Sequence, residues 1–237
     1  MGTCRLCLKE KKLIKAHIIP NFMYRGIKEG NFSRFNKNLD TGKSFTLPAQ
    51  TGEFDKSILC EDCDSGILNE KFEKYAKMTL FDNHIGVEYN GNSFICKNID
   101  YSKFKLFLLS ILWRSSISNR PFFDRVNLGK KLEERLRKML YEGNAPKETE
   151  YAIMIQMDMD SSISTFVVQP HPMGSYNGLE AYLFLINSLG FQFFINSNEN
   201  NLPLEISKYI LKESGEFSVL YLKGVYKKYL ESIIEIH

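Results

Sequence analysis

The sequence predicts an α+β protein with a metal-organised N-terminal unit, a helical segment, and then a mainly antiparallel sheet with helices. Three observations carry this. Four of the five cysteines form two CxxC pairs, Cys4 with Cys7 and Cys60 with Cys63. Residues 101–118 and 129–143 carry apolar residues at helical spacing. From Tyr151 onward, short β-branched and aromatic runs alternate with turn residues. The 237 residues suffice for one large domain or two small ones. The change of pattern divides them into residues 1–84, organised by the cysteines, and an α+β region over 85–237.

A CxxC pair places two thiolates on one tight knuckle, and two pairs complete a tetrahedral Zn²⁺ site. Such a closed site is structural, because it leaves no position for water or substrate. The 52 residues between Cys7 and Cys60 are long for a simple ribbon, so something sizeable is inserted. No segment reaches the roughly 18–20 apolar residues needed to span a bilayer. The N-terminus lacks an apolar secretory core. A cytoplasmic location without a membrane partner is therefore expected, where thiols stay reduced and cysteines serve metals more than disulfides.

In chain order, "KKLIKAHIIP" is short, β-branched and ended by Pro20, which suits a strand running into a turn. Residues 26–56, rich in Gly, Asn, Ser and Lys, read as a long loop with room for one hairpin. From Cys63 the pattern turns helical, with Leu68, Phe72 and Tyr75 at i, i+4, i+7. "VEYNGNSFIC" is a hairpin around Asn-Gly, with Cys96 as a buried strand residue. Helices follow at 101–118 and 129–143. Strands are expected in "YAIMIQMDM", "STFVVQPHP", "EAYLFLI", "GFQFFIN" and "FSVLYLKG", a short helix in "PLEISKYIL", and a last helix in "YKKYLESIIEI". His84 lies in a turn, and His171, between two prolines, reads as a fixed loop residue.

The order "CRLC", "AHIIP", a loop, "LCEDCD" and then a helix resembles the zinc-bearing HNH, or ββα-metal, endonucleases over about residues 4–80. The resemblance implies a treble-clef-like ββα unit. Further on, "FKLFLLSILWRSSISNRPFF" and "VNLGKKLEERLRKMLYEG" are similar to bacterial HNH-like proteins. By resemblance, His17 is the general base that takes a proton from water, a task a neutral imidazole performs at pH 7. A divalent cation, Mg²⁺ or Mn²⁺, would assist at the phosphate. The residue that orients the base falls at Asp55, where the family often has Asn. The ligand after the second cysteine pair falls at Asp64, whose oxygens suit a hard cation. Two family ligand positions hold Ala16 and Leu68, which cannot bind metal. The other reading of His17 is a side chain packed beside the knuckle.

At about 100° per residue, Asp64 shares a helix face with Ile67, Leu68 and Lys71, with no second carboxylate. Glu70 and Glu73 fall on another face with Lys74 and Lys77, the pattern of a solvated face. A later helix start at Gly66 would turn this acidic pair, Glu70 and Glu73, towards the cleft, with Glu73 as a second metal ligand.

Residues 1–58 hold eleven Lys or Arg against five acids, and residues 59–77 hold five acids against three lysines. Both a metal-dependent enzyme acting on a polyanion and an ordinary solvated surface fit that balance. Lys12, Lys15 and Arg25 are the candidate phosphate contacts. Phe32, Phe35 and Phe45 either stack on bases or pack. Two functions follow. One is a divalent-metal-dependent endonuclease hydrolysing DNA phosphodiesters, the activity that serves restriction or phage defence in such proteins. The other is a non-catalytic zinc-scaffolded module binding nucleic acid or protein through a degenerate site. The C-terminal region is left to recognise substrate, a protein partner or a second copy of the chain.

Overall fold

The computed structural model describes residues 1–24, 32–37, 44–49, 52–81, 86–89, 91, 93–160, 164 and 166–234. The chain is a mixed α+β structure with a mainly antiparallel sheet, the class expected from its sequence.

At the N-terminus, β1 (Gly2–Thr3) and β2 (Glu10–Lys11) form a small antiparallel hairpin around the first cysteine pair. Its turn is tight enough to hold Leu8 at φ 59°. A second small ladder pairs β3 (Ala16–His17) with β6 (Phe54–Asp55). Between them in sequence, β4 (Phe32–Lys37) and β5 (Ser44–Ala49) form the one hairpin the long loop had room for.

The large sheet runs in the order β5, β4, β10, β12, β13, β9, β14, β8, β7, with β11 also on β12. Its further strands are β7 (Gly86–Tyr89), β8 (Ser93–Lys97), β9 (Ala152–Asp158), β10 (Phe166–Val168), β11 (His171–Tyr176), β12 (Leu179–Ile186), β13 (Leu189–Phe194) and β14 (Phe217–Leu222). Two pairings are parallel, β4 with β10 and β9 with β14. The segment inserted between the cysteine pairs thus forms one end of the sheet built by the C-terminal region. Asn187 and Ser188 both take positive φ between β12 and β13, the two-residue turn that matches strand twist.

A wide helical stretch at Asp62–Glu73 continues as α1 (Lys74–Phe81). Helix α2 (Tyr101–Ile117) starts where the Asp100 side chain accepts the Lys103 N–H at 3.1 Å. It is buried on every side from Phe104 to Ser115, so it is the central helix of the molecule. Helix α3 (Gly129–Glu142) ends on Gly143 at φ 80°, a left-handed cap. Two shorter helices follow, α4 (Leu204–Ser207) and α5 (Val225–Ile234).

Residues 82–85, where the sequence pattern changes, lie outside the described residues. The core residues on either side belong to one apolar cluster, running from Cys4, Leu6 and Ile18 through Trp113 and Leu136 to Phe184 and Val219. Among the described residues, no helix is long and apolar enough to cross a membrane.

Candidate functional site

The sulfurs of Cys4, Cys7, Cys60 and Cys63 all lie within 4.8 Å of one another. Sulfurs around a tetrahedral Zn²⁺, at about 2.3 Å from the metal, stand a little under 4 Å apart. The donor set therefore fits a structural zinc site. Backbone geometry builds it from both sides. Cys4 donates to the Lys9 carbonyl at 3.0 Å, and Leu8 to the Cys4 carbonyl at 2.8 Å. The Cys60 N–H points at the Cys4 sulfur at 3.4 Å, and the Cys60 carbonyl accepts from Cys63 and Asp64. Burial raises all three buried thiols. At Cys4 the N–H groups of Cys7, Cys60 and Leu6 outweigh it and lower the thiol's pKa. At Cys60 and Cys63 burial wins, and the neighbouring Cys4 sulfur adds to it. A bound cation reverses that balance and keeps every thiol deprotonated. Cys96 stands apart in β8, buried, its thiol pushed up to about 11 by burial.

His17 lies on the second small ladder, opposite Phe54, with Ala16 opposite Asp55. The strand expected over residues 11–20 is shorter and bulged. Leu13 pairs with Cys60, so two residues separate Leu13 from Ala16 while four separate Asp55 from Cys60. The two extra residues form a bend, a β-bulge-like irregularity that re-aims the ladder. Asp55 holds this bend, accepting the Ser57 N–H at 2.8 Å and its hydroxyl at 2.6 Å. Its other oxygen accepts from Asn119 N–H at 2.9 Å and Ser118 Oγ at 3.2 Å, beyond the end of α2. Burial works to raise the Asp55 pKa, and these donors outweigh it to lower it. The carboxylate is thus committed to the bend and to the end of α2.

The His17 ring is half-buried and meets the Phe54 ring edge-on at 6.3 Å. Burial lowers its pKa, and the Lys15 and Arg114 charges add to this against the opposing pull of Glu73. The imidazole is therefore a free base at neutral pH. Lys15 is exposed and lays its ammonium 3.7 Å over the Phe54 ring. Lys12 is also exposed. Arg25 lies outside the described residues, as do His84 and the side chains of Phe32, Phe35 and Phe45.

The helix after Cys63 corrects the face assignment made at 100° per residue. It is wound wide over Asp62–Glu73, and the Lys74 N–H reaches back five residues to Asn69 O. Nine residues of α-helix make two and a half turns. With i→i+5 bonds they make about two, so Asp64 and Glu73 come to one face. Glu70 and Glu73 part company: Glu70 pairs with Lys74 in solvent at 2.6 Å, while Glu73 turns inward. Burial pushes Asp64 up to about 6, the Arg114 charge opposes this, and Glu73 adds to it. Glu73 is thus within electrostatic reach of both Asp64 and His17. Leu68 and Ala16, at the two apolar positions, are fully buried.

Sequence reasoning missed Arg114. This α2 residue is 1% exposed, and its Nη1 lies 2.8 Å from both the His17 carbonyl oxygen and Glu73 Oε1. Its Nη2 donates to Ser110 Oγ at 3.1 Å and its Nε to Ser110 O at 3.3 Å. The signal was present in "LLSILWRSS": a charge four residues after a serine, in a stretch whose neighbours are mostly apolar.

No family model matches this chain, and neither curated proteins nor solved structures give a match. The functional reading rests on the site itself. His171, the weaker candidate, is the first residue of β11. Its Nδ1 meets Gln169 O at 3.1 Å and its ring stacks on Tyr229, a structural placement.

Proposed function

We propose that the chain is an HNH-like endonuclease hydrolysing DNA phosphodiester bonds, with His17 as general base. The observation that carries this is that the Glu73 carboxylate acts electrostatically on both His17 and Asp64, from the helix that begins at the closed cysteine cluster. A short antiparallel ladder bearing the histidine, followed by a helix stapled at Cys60 and Cys63, supports the resemblance to the ββα-metal arrangement.

In this reading a ring nitrogen of His17 takes a proton from water, and the resulting hydroxide attacks phosphorus. The lowered histidine pKa keeps the accepting nitrogen free at neutral pH. Asp64 and Glu73 would hold a divalent cation, which supplies Lewis-acid stabilisation of the phosphate and the leaving oxygen. Two carboxylates leave most of its coordination shell to water and DNA phosphate. Exposed Lys12 and Lys15 would position the backbone without reading bases. Asp55 shapes the ladder that presents His17.

Buried Ala16 and Leu68 favour a second reading, a non-catalytic zinc-scaffolded module that binds nucleic acid or protein. It predicts salt-sensitive binding without cleavage. Incubation of plasmid with the purified chain and Mg²⁺ or Mn²⁺ separates the two. Nicking or linearisation by wild type and not by His17→Ala supports the nuclease. Equal inertness across metals and DNA forms overturns it.

A further inference from the structure

The geometry points to Arg114 as a positioning residue that fixes the strand bearing His17 and the inward carboxylate Glu73 in one arrangement. This rests on the nuclease reading above. Arg114 is 1% exposed, so it has no surface to offer a substrate. Burying a guanidinium costs free energy unless its donors are engaged, and an apolar side chain would suit the middle of α2 better. Here each guanidinium nitrogen donates a hydrogen bond, one of them to the His17 carbonyl, and the Glu73 carboxylate stands beside the same nitrogen as an ion pair. One Nη1 lies 2.8 Å from both the His17 carbonyl and Glu73 Oε1, while Ser110 holds the other edge of the fork.

The contact on His17 is to its main chain. Moving that carbonyl moves the Cα and the ring with it. The same helix end ties down the partner strand, through Ser118 and Asn119 on Asp55 and through Arg120 on Glu53 at 3.0 Å. Only a planar fork reaches Ser110, Glu73 and His17 together; an ammonium keeps the charge and loses the geometry. The site is therefore completed by a residue from outside the cysteine-organised segment, on α2.

The test uses the full chain carrying Arg114→Lys, with zinc content and circular dichroism as checks on folding. Cleavage kinetics and the His17 ring signals in nitrogen-15 NMR, identified by their loss in His17→Ala, are the readouts. Arg114→Lys should keep DNA affinity and KM, shift the His17 ring signals, and lower kcat by about 100-fold, the cost of a misplacement near 1 Å. Wild-type kcat, or His17 signals that stay in place, overturns the proposal. If wild type cleaves no faster than His17→Ala, the nuclease reading falls by itself, and the ring signals still decide the positioning role. If Arg114→Lys does not fold, Ser110→Ala replaces it: it should move the same ring signals by less, and unmoved signals overturn the proposal.

Discussion

The Nη1 nitrogen of Arg114 lies 2.8 Å from the carbonyl oxygen of His17, across 97 residues of sequence. A second arginine makes a similar reach. Arg137 Nη1 donates to the Leu6 carbonyl at 2.8 Å, inside the first cysteine knuckle. Between them Trp113, 1% exposed, donates its indole N–H to Glu133 O at 3.0 Å and locks α2 to α3. The cysteine-organised segment is therefore held by main-chain acceptors facing two helices of the following region. Side chains that bind backbone carbonyls fix the position of the chain whatever side chain the acceptor residue carries.

Glu73→Gln tests the buried charge pair. The amide keeps the shape and leaves the Arg114 guanidinium without its carboxylate. A broken buried pair costs about 3–5 kcal/mol, and partial exposure of Glu73 places the expected loss near the lower end. Urea unfolding measures it, with Glu70→Gln as the control. Glu70 pairs with Lys74 in solvent, so its loss should be only about 0.3–0.5 kcal/mol. Equal stabilities for the two variants would remove the Arg114–Glu73 pair from the account.

The cysteine cluster predicts one zinc ion per chain. Metal analysis of purified protein, with a chromogenic chelator after thiol modification, should release one equivalent. Cys60→Ser should lose the metal and lower the urea midpoint, because binding energy at a closed site is folding energy. A folded, zinc-free wild-type protein would overturn the assignment.

Gly190→Ala tests the packing of α5 on the sheet. A Cβ there would lie 1.9 Å from the hydroxyl of Tyr226, which donates to Gln156. Tyr226 is also anchored by its own N–H on Asp158 at 2.7 Å, so it cannot step aside cheaply. Overpacking of this kind costs about 1–3 kcal/mol. Thermal unfolding checks it, and Tyr226→Ala in the same chain should recover part of the loss, since touching residues do not add.

The readable parts of the chain were those where local chemistry decides. The two CxxC pairs and the apolar periods of α2 and α3 each act within a few residues, and the structure has them where the sequence put them. The unreadable parts are long-range or depend on helical pitch. No residue pattern announced the wide winding that aligns Asp64 with Glu73. The parallel pairing of β4 with β10 joins strands more than a hundred residues apart. The bend at Asp55 arises from unequal spacing on two strands, visible only once Leu13 and Cys60 are paired. Arg114 belongs to both groups: its oddity shows in sequence, and its partners do not.

Lys105 gives a prediction in pH. It is fully buried within α2, with Nζ 3.5 Å from the Glu148 carbonyl and 5.9 Å from the centre of the Tyr101 ring. Burial pushes the ammonium down to about 7 from 10.5, against the pull of Glu148, Glu150 and Glu213. Between those values the unfolded chain holds a proton that the folded chain lacks, so stability rises with pH across the window. Below the folded value the charge is buried and the full penalty applies. Lys105→Met keeps the volume and removes the charge, so the variant should be more stable than wild type by about 1–4 kcal/mol near pH 6. The gap should narrow steadily towards about pH 10, as the wild-type amine becomes neutral in both states. Thermal unfolding at a series of pH values measures this, and a gap that stays constant would show that Lys105 does not titrate on folding.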